Sequence, residues 1–131
     1  MNARRIIAVP VLGLFVCAVP LLAHHSVAAS YDNSQTITLT GVITSVEWRN
    51  PHVVLRLALK NSDGSAVEWR LEMRGANALS TAGIDSGALV LGDQVSARVW
   101  VARNGTKYGN VRNLTLSDER DVDVSDRWPQ R

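Results

Sequence analysis

The sequence predicts an all-β fold: a small five-stranded barrel with a short helix between its third and fourth strands, preceded by a signal peptide. Three observations carry this. A charge-free apolar run follows a basic start. Period-two alternation of apolar residues recurs in several short segments. One stretch between the third and fourth of these segments breaks the alternation.

Arg4 and Arg5 precede IIAVPVLGLFVCAVPLLA, residues 6–23, which contains no charge. A basic n-region before an apolar h-region is the pattern of a secretory signal. A membrane-spanning helix needs a run of similar length, on the order of 20 residues. Pro10 and Pro20 interrupt this one, and small residues follow it. The expected division is 1–23 signal peptide, 24–35 leader, 36–117 barrel and 118–131 charged tail. Small-x-small rules also fit a cut after Ala28, so local pattern leaves the site open. Cys17 is the sole cysteine and leaves with the signal, so neither a disulfide nor a thiolate nucleophile is expected.

The whole chain carries 14 basic and 12 acidic residues; without Arg4 and Arg5 this becomes 12 against 12. A neutral mature chain lacks the basic footprint of a nucleic-acid binder. The expectation is therefore a periplasmic or secreted protein with no nucleic-acid partner, and no membrane association once the signal is gone.

TITLTGVITSVEW, residues 36–48, reads as a long first strand. Ile37 and Leu39 share one parity, and Val42, Val46 and Trp48 the other, so a bulge or bend is expected at Gly41. Asn50-Pro51 is a turn. Residues 52–60 place Val53, Leu55, Leu57 and Leu59 on one face, and Asp63-Gly64 marks a hairpin loop. Residues 66–73 alternate cleanly, with Val67, Trp69, Leu71 and Met73 inward. Ala76 to Ala82 is the short helix, ended by Gly83. Residues 94–103 put Val95, Ala97, Val99 and Val101 inward. Asn104-Gly105 turns the chain into a last strand, residues 109–118. The tail is acidic, and fraying is expected there. Three strands, a helix and two strands, with a long bent first strand, is the order of an OB-like barrel.

HHS, then YD, LTGVITSVEWRNPH, EWRLEM and LGDQV, together resemble a family of small exported bacterial proteins, the domain of unknown function 6152. The similarity runs from His24 to Leu116, and the VEWxNPH block is its most specific part. The resemblance implies an exported OB-like domain and brings no activity with it. It also implies that HHS closely follows the signal, which favours cleavage after Ala23. The chain departs from the pattern at Val27, where an aromatic is common, and in its longer acidic tail.

Candidate chemistry is sparse. His24, His25 and His52 are the three histidines. With cleavage after Ala23, the α-amine and imidazole of His24 form a chelate, completed by His25 or His52. Such a nitrogen set suits Cu(II). A closed structural zinc site wants four ligands and has too few here. The competing reading is a solvated leader and a histidine that fastens its turn. Trp100 points outward beside Arg98, and these two with Arg56 form a candidate ligand face, which Arg112 would join. VEWR occurs twice; its tryptophans, Trp48 and Trp69, read as core, and Glu47–Arg49 and Glu68–Arg70 read as surface pairs. There is no GxSxG, P-loop or Rossmann glycine pattern. The expectation is a non-enzymatic module for an unknown small ligand or protein partner, with no resident cofactor unless Cu(II) is bound.

The intact mass of the protein exported by its native host is expected to begin at His24. A mass beginning at Ala29 or Ser30 would remove the histidine pair, and the chelate with it.

Overall fold

The first strand runs far longer than the others: threonine, valine and isoleucine dominate residues 36–47, and the polar residues 31–35 precede them in the same strand. The computed structural model describes residues 27–125. A short helix, α1 (Val27–Ser30), leads directly into β1 (Tyr31–Glu47). Then follow β2 (His52–Lys60), β3 (Ala66–Arg74), α2 (Ala76–Thr81), a 3-10 turn (Ser86–Ala88), β4 (Gln94–Ala102), β5 (Tyr108–Thr115) and β6 (Asp121–Asp123). The expected signal peptide, with Cys17, His24 and His25, lies outside the described residues, as does the end of the tail after Ser125.

The sheet order is β3-β2-β1-β4-β5-β6, and β3 also pairs with β5. Strand bonding therefore runs as a ring, β1-β2-β3-β5-β4 and back to β1. Every pairing is antiparallel except β3–β5, which is parallel. Inside the ring lie Leu55, Leu57, Leu71, Met73, Val99, Val111 and Leu114, all fully buried. Trp69 is buried with them, and Trp48 packs on the core from its edge.

Four expectations change. The first strand begins at Tyr31 rather than Thr36. Its parity switch is at Thr44, not Gly41: the register against β2 slips between Ile43 and Ser45, while Leu39, Gly41 and Ile43 all point inward. Gly41 answers to a close approach instead. A Cβ there would stand 2.8 Å from the Ala58 carbonyl oxygen and 2.8 Å from Leu59 Cδ1. Among the described residues there are six strands, not five. The sixth, with Val124 fully buried beyond it, lies in the segment expected to fray. Asp-Val-Asp-Val alternates with period two, so its valines reach the core while its carboxylates stay in water.

β6 and Val124 extend the seam between β3 and β5. The Val124 N–H donates to the Arg112 carbonyl (3.1 Å), and its own carbonyl accepts from Arg74 N–H (3.3 Å). The Arg74 guanidinium also donates to the Asp123 carbonyl.

At the end of the ring where β3 stops, α2 covers the core with Leu79 and Ala76. Its start is held by the β1–β2 turn. Asn77 N–H donates to Asn50 Oδ1 (3.2 Å), and Ala76 N–H donates to the Arg49 carbonyl (3.1 Å). Asn50 thus caps a helix remote in sequence, satisfying a backbone donor that no earlier turn can reach. Gly75 is needed there: a Cβ would come within 2.5 Å of both Asn50 Oδ1 and the Pro51 carbonyl oxygen. The Asn50-Pro51 bond is cis.

Gly41→Ala is expected to destabilise the protein by about 1–3 kcal/mol, because its Cβ meets main chain that β2–β3 pairing holds in place. Urea unfolding of the two proteins checks this, and an unchanged midpoint would contradict the close approach.

Candidate functional site

The ring's outer face over β3, β5 and β4 collects the side chains with chemical character. On β4, Arg98 and Trp100 alternate outward, so they stand beside each other as expected. On β5 the register against β4 slips between Arg98 and Val99. The slip makes Arg112 an extra residue, and a bulge of this kind re-aims a side chain. The Arg112 guanidinium lies over the Trp100 ring, 3.9 Å from its centroid. Arg112 Nη1 also donates to Asn110 Oδ1 (3.0 Å). Asn110 is a polar side chain only 3% exposed, the register partner of Trp100. A stacked, tethered guanidinium keeps its planar edge in a fixed orientation.

Trp100 is therefore a platform already holding a cation, rather than a bare ring awaiting a ligand. Arg56 does not join it. It stands on β2, where its Nη1 donates to Glu68 Oε1 (2.9 Å). Thr44 Oγ1 donates to the other oxygen of that carboxylate (3.1 Å). These bonds lower the Glu68 carboxyl below its usual range. The expected Glu68–Arg70 pair is thus replaced by a cross-strand one: Arg56, whose register partner is Arg70, reaches diagonally to Glu68, which is within range of a long side chain. Arg70 instead lies over the Tyr108 ring at 5.3 Å. The expected Glu47–Arg49 pair is present at 3.0 Å.

The same face holds residues that sequence reasoning did not single out. Tyr31 Oη donates to Glu72 Oε2 (2.8 Å), crossing from the start of β1 to β3. Burial, then this hydrogen bond, push the Tyr31 phenol well above its ordinary pKa. Tyr31 lay in a polar stretch that gave no strand signal; only its aromatic character set it apart. Glu72, Asn110 and Trp100 occupy one row of the ladder, since Glu72 pairs with Asn110 and Asn110 with Trp100.

His52 is exposed at the start of β2 and pairs in register with Arg74. It faces away from the core, as its parity predicts. His24 and His25 lie outside the described residues. Among the described residues no group of three or more His, Cys, Asp or Glu side chains is placed to hold a metal ion. Among them, too, no helix is long and apolar enough to cross a membrane.

The model of a family of unknown function, DUF6152, matches residues 12–112. No curated protein and no solved structure matches.

The Tyr31–Glu72 bond has a pH signature. An unfolded tyrosine titrates near 10.0, and Tyr31 in the folded chain titrates higher. Its contribution is thus fully present below pH 10 and is lost as pH rises from there. Tyr31→Phe is expected to cost about 1–3 kcal/mol at neutral pH, with the gap to wild type narrowing above pH 10. Urea unfolding across that range is the check; a gap independent of pH would remove the phenol from the account.

Proposed function

The chain belongs to the DUF6152 family of unknown function, and we propose that it is an exported OB-like barrel that binds a ligand or partner and performs no reaction. The barrel reading is supported by the ring order β1-β2-β3-β5-β4 with its helix between the third and fourth strands. Export rests on the basic and apolar start of the sequence. Such closed sheets remove strand edges and leave their outer faces available for recognition.

One observation carries the binding reading. Arg112 is fixed over Trp100 and tied to buried Asn110 at a bulge. Preorganisation of that kind costs the fold a regular ladder and lowers the ordering cost of binding. The chemistry presented is a flat, cationic surface with Arg98 beside it. It suits a carboxylate or phosphate met edge-on by the guanidinium fork. Nucleic acid is disfavoured by the balanced charge of the chain without its first residues.

A second reading is a copper-binding protein using an N-terminal chelate at His24, completed by His52 or His25. Its support is that Tyr31 ties the start of the described chain to Glu72, two residues along β3 from Arg74, the register partner of His52. Under it, one equivalent of Cu(II) is retained at neutral pH, and His52→Ala weakens retention while leaving the thermal midpoint nearly unchanged.

For the leading reading, the mature chain is titrated with inorganic phosphate and with glucuronate, followed by amide chemical shifts. Shifts are expected at Arg98, Trp100 and 110–113. Arg112→Lys, which keeps charge and loses the planar fork, should weaken binding about tenfold. Shifts absent from this face for both probes would overturn the assignment.

A further inference from the structure

The row Glu72–Asn110–Trp100 divides the outer face in two, and each half carries a cation of its own. Arg98 stands two residues to one side of Trp100 along β4, exposed to solvent. Arg70 stands two residues to the other side of Glu72 along β3. Its guanidinium lies over the ring of its register partner, Tyr108. Among the described residues neither Arg98 nor Arg70 joins an ion pair. At about 3.3 Å per residue, the two cations are separated by about 13 Å along the strands. No single carboxylate or phosphate spans that gap.

The ground between them is different. Asn110 brings no charge, and the Glu72 carboxylate accepts from Tyr31 Oη. A ligand charged at every unit would bring one charge against Glu72, and like charges set together count against a partner. The main chain offers an extended peptide nothing here. β3 pairs with β2 and β5, β5 with β3 and β4, and β4 with β5 and β1, so an added strand finds no free edge. Side chains alone must hold the ligand. Tyr108, 45% exposed, supplies apolar ring area at a wet surface.

Resting on the reading of this face as an anion site, we propose that its ligand is a segment of acidic polysaccharide in which charged and neutral sugars alternate. It lies across β4, β5 and β3. One acid group meets Arg98 and the next meets Arg70, where a sugar C–H face packs on Tyr108. The neutral sugar between them crosses Asn110 and turns hydroxyls to Glu72. Acid groups on alternate sugars stand two pyranose units apart, the scale of the gap. Arg112, already engaged, shapes the surface at Trp100 and is asked for no further bond.

The test titrates the mature chain with a hyaluronan hexasaccharide, whose uronate and neutral sugars alternate. Glucuronate and a galacturonate hexasaccharide, charged at each unit, are the comparisons. The alternating chain is expected to shift the amides of 70–72 and 108–110 together with those of 98–100. It should bind about a hundredfold more tightly than glucuronate, since two linked contacts act together. Arg70→Gln should remove most of that gain while leaving the thermal midpoint and the glucuronate shifts at Arg98 and Trp100 nearly unchanged. Arg98→Gln, at an exposed position, should weaken hexasaccharide binding about tenfold. Glucuronate shifts at Trp100 with no gain from the hexasaccharide would overturn the polysaccharide and leave the anion face standing. Hexasaccharide binding undiminished by Arg70→Gln would do the same. Equal binding of the galacturonate hexasaccharide, or tighter binding of oligothymidylate, would also overturn it. Amides unmoved by every probe would overturn both readings.

Discussion

Three residue pairs, Arg70–Tyr108 to Glu72–Asn110, join β3 to β5 in parallel and turn an open sheet into a ring. Without them the strands would present edges at β3 and β5, and the apolar faces of both would meet water. The seam is short, and evenly spaced parallel bonds are slightly weaker per residue than antiparallel ones. The chain reinforces it twice. Val124 and β6 continue it at one end. Across the outer face, the Tyr31–Glu72 bond ties the start of β1 to β3. Bonds that bridge non-neighbouring strands in this way fix the relative positions of β1, β3, β4 and β5. That rigidity is also what positions Asn110 under Arg112.

The most specific sequence block of the family resemblance takes a structural meaning from the same fold. In VEWRNP the main-chain carbonyl of Arg49 and the side chain of Asn50 hold the first turn of α2, and Gly75 leaves room for the contact. Glu47 and Arg49 pair with each other at the surface. The block is a latch between a turn and a helix that covers one end of the core.

Period-two patterns exposed β2, β3 and β4 in the sequence because each buries one face more deeply than the other, Val54 of β2 being the exception. Turn chemistry at Asp63-Gly64 and Asn104-Gly105 bounded them. The bulges at Thr44 and Arg112 were not legible, since a register slip is a property of two strands and not of one. Gly41 misled for a related reason: glycine marks both bulges and close backbone approaches, and only the partner strand tells them apart. Val122 and Val124 did alternate with aspartates, but the density of charge outweighed two valines. Of the outward residues, Arg98 and Trp100 were found by parity, while Arg112 was named beside them without it and owes its aim to the slip. Their separation from Arg56 depended on the order of strands around the ring.

The contact between Arg74 and Asp123 spans 49 positions of chain. Loop closure on that scale costs entropy before any burial repays it, and topologies rich in such contacts fold slowly. Since β6 is the last strand among the described residues, a chain emerging from its N-terminus can pair β3 with β5 before the segment that reinforces their seam appears. During that interval the part of β5 that β6 later covers, Asn113 to Thr115, is exposed. Once β6 arrives, Asp121 and Asp123 place charge on the strand that covers this edge, and charged edge strands discourage pairing with another chain.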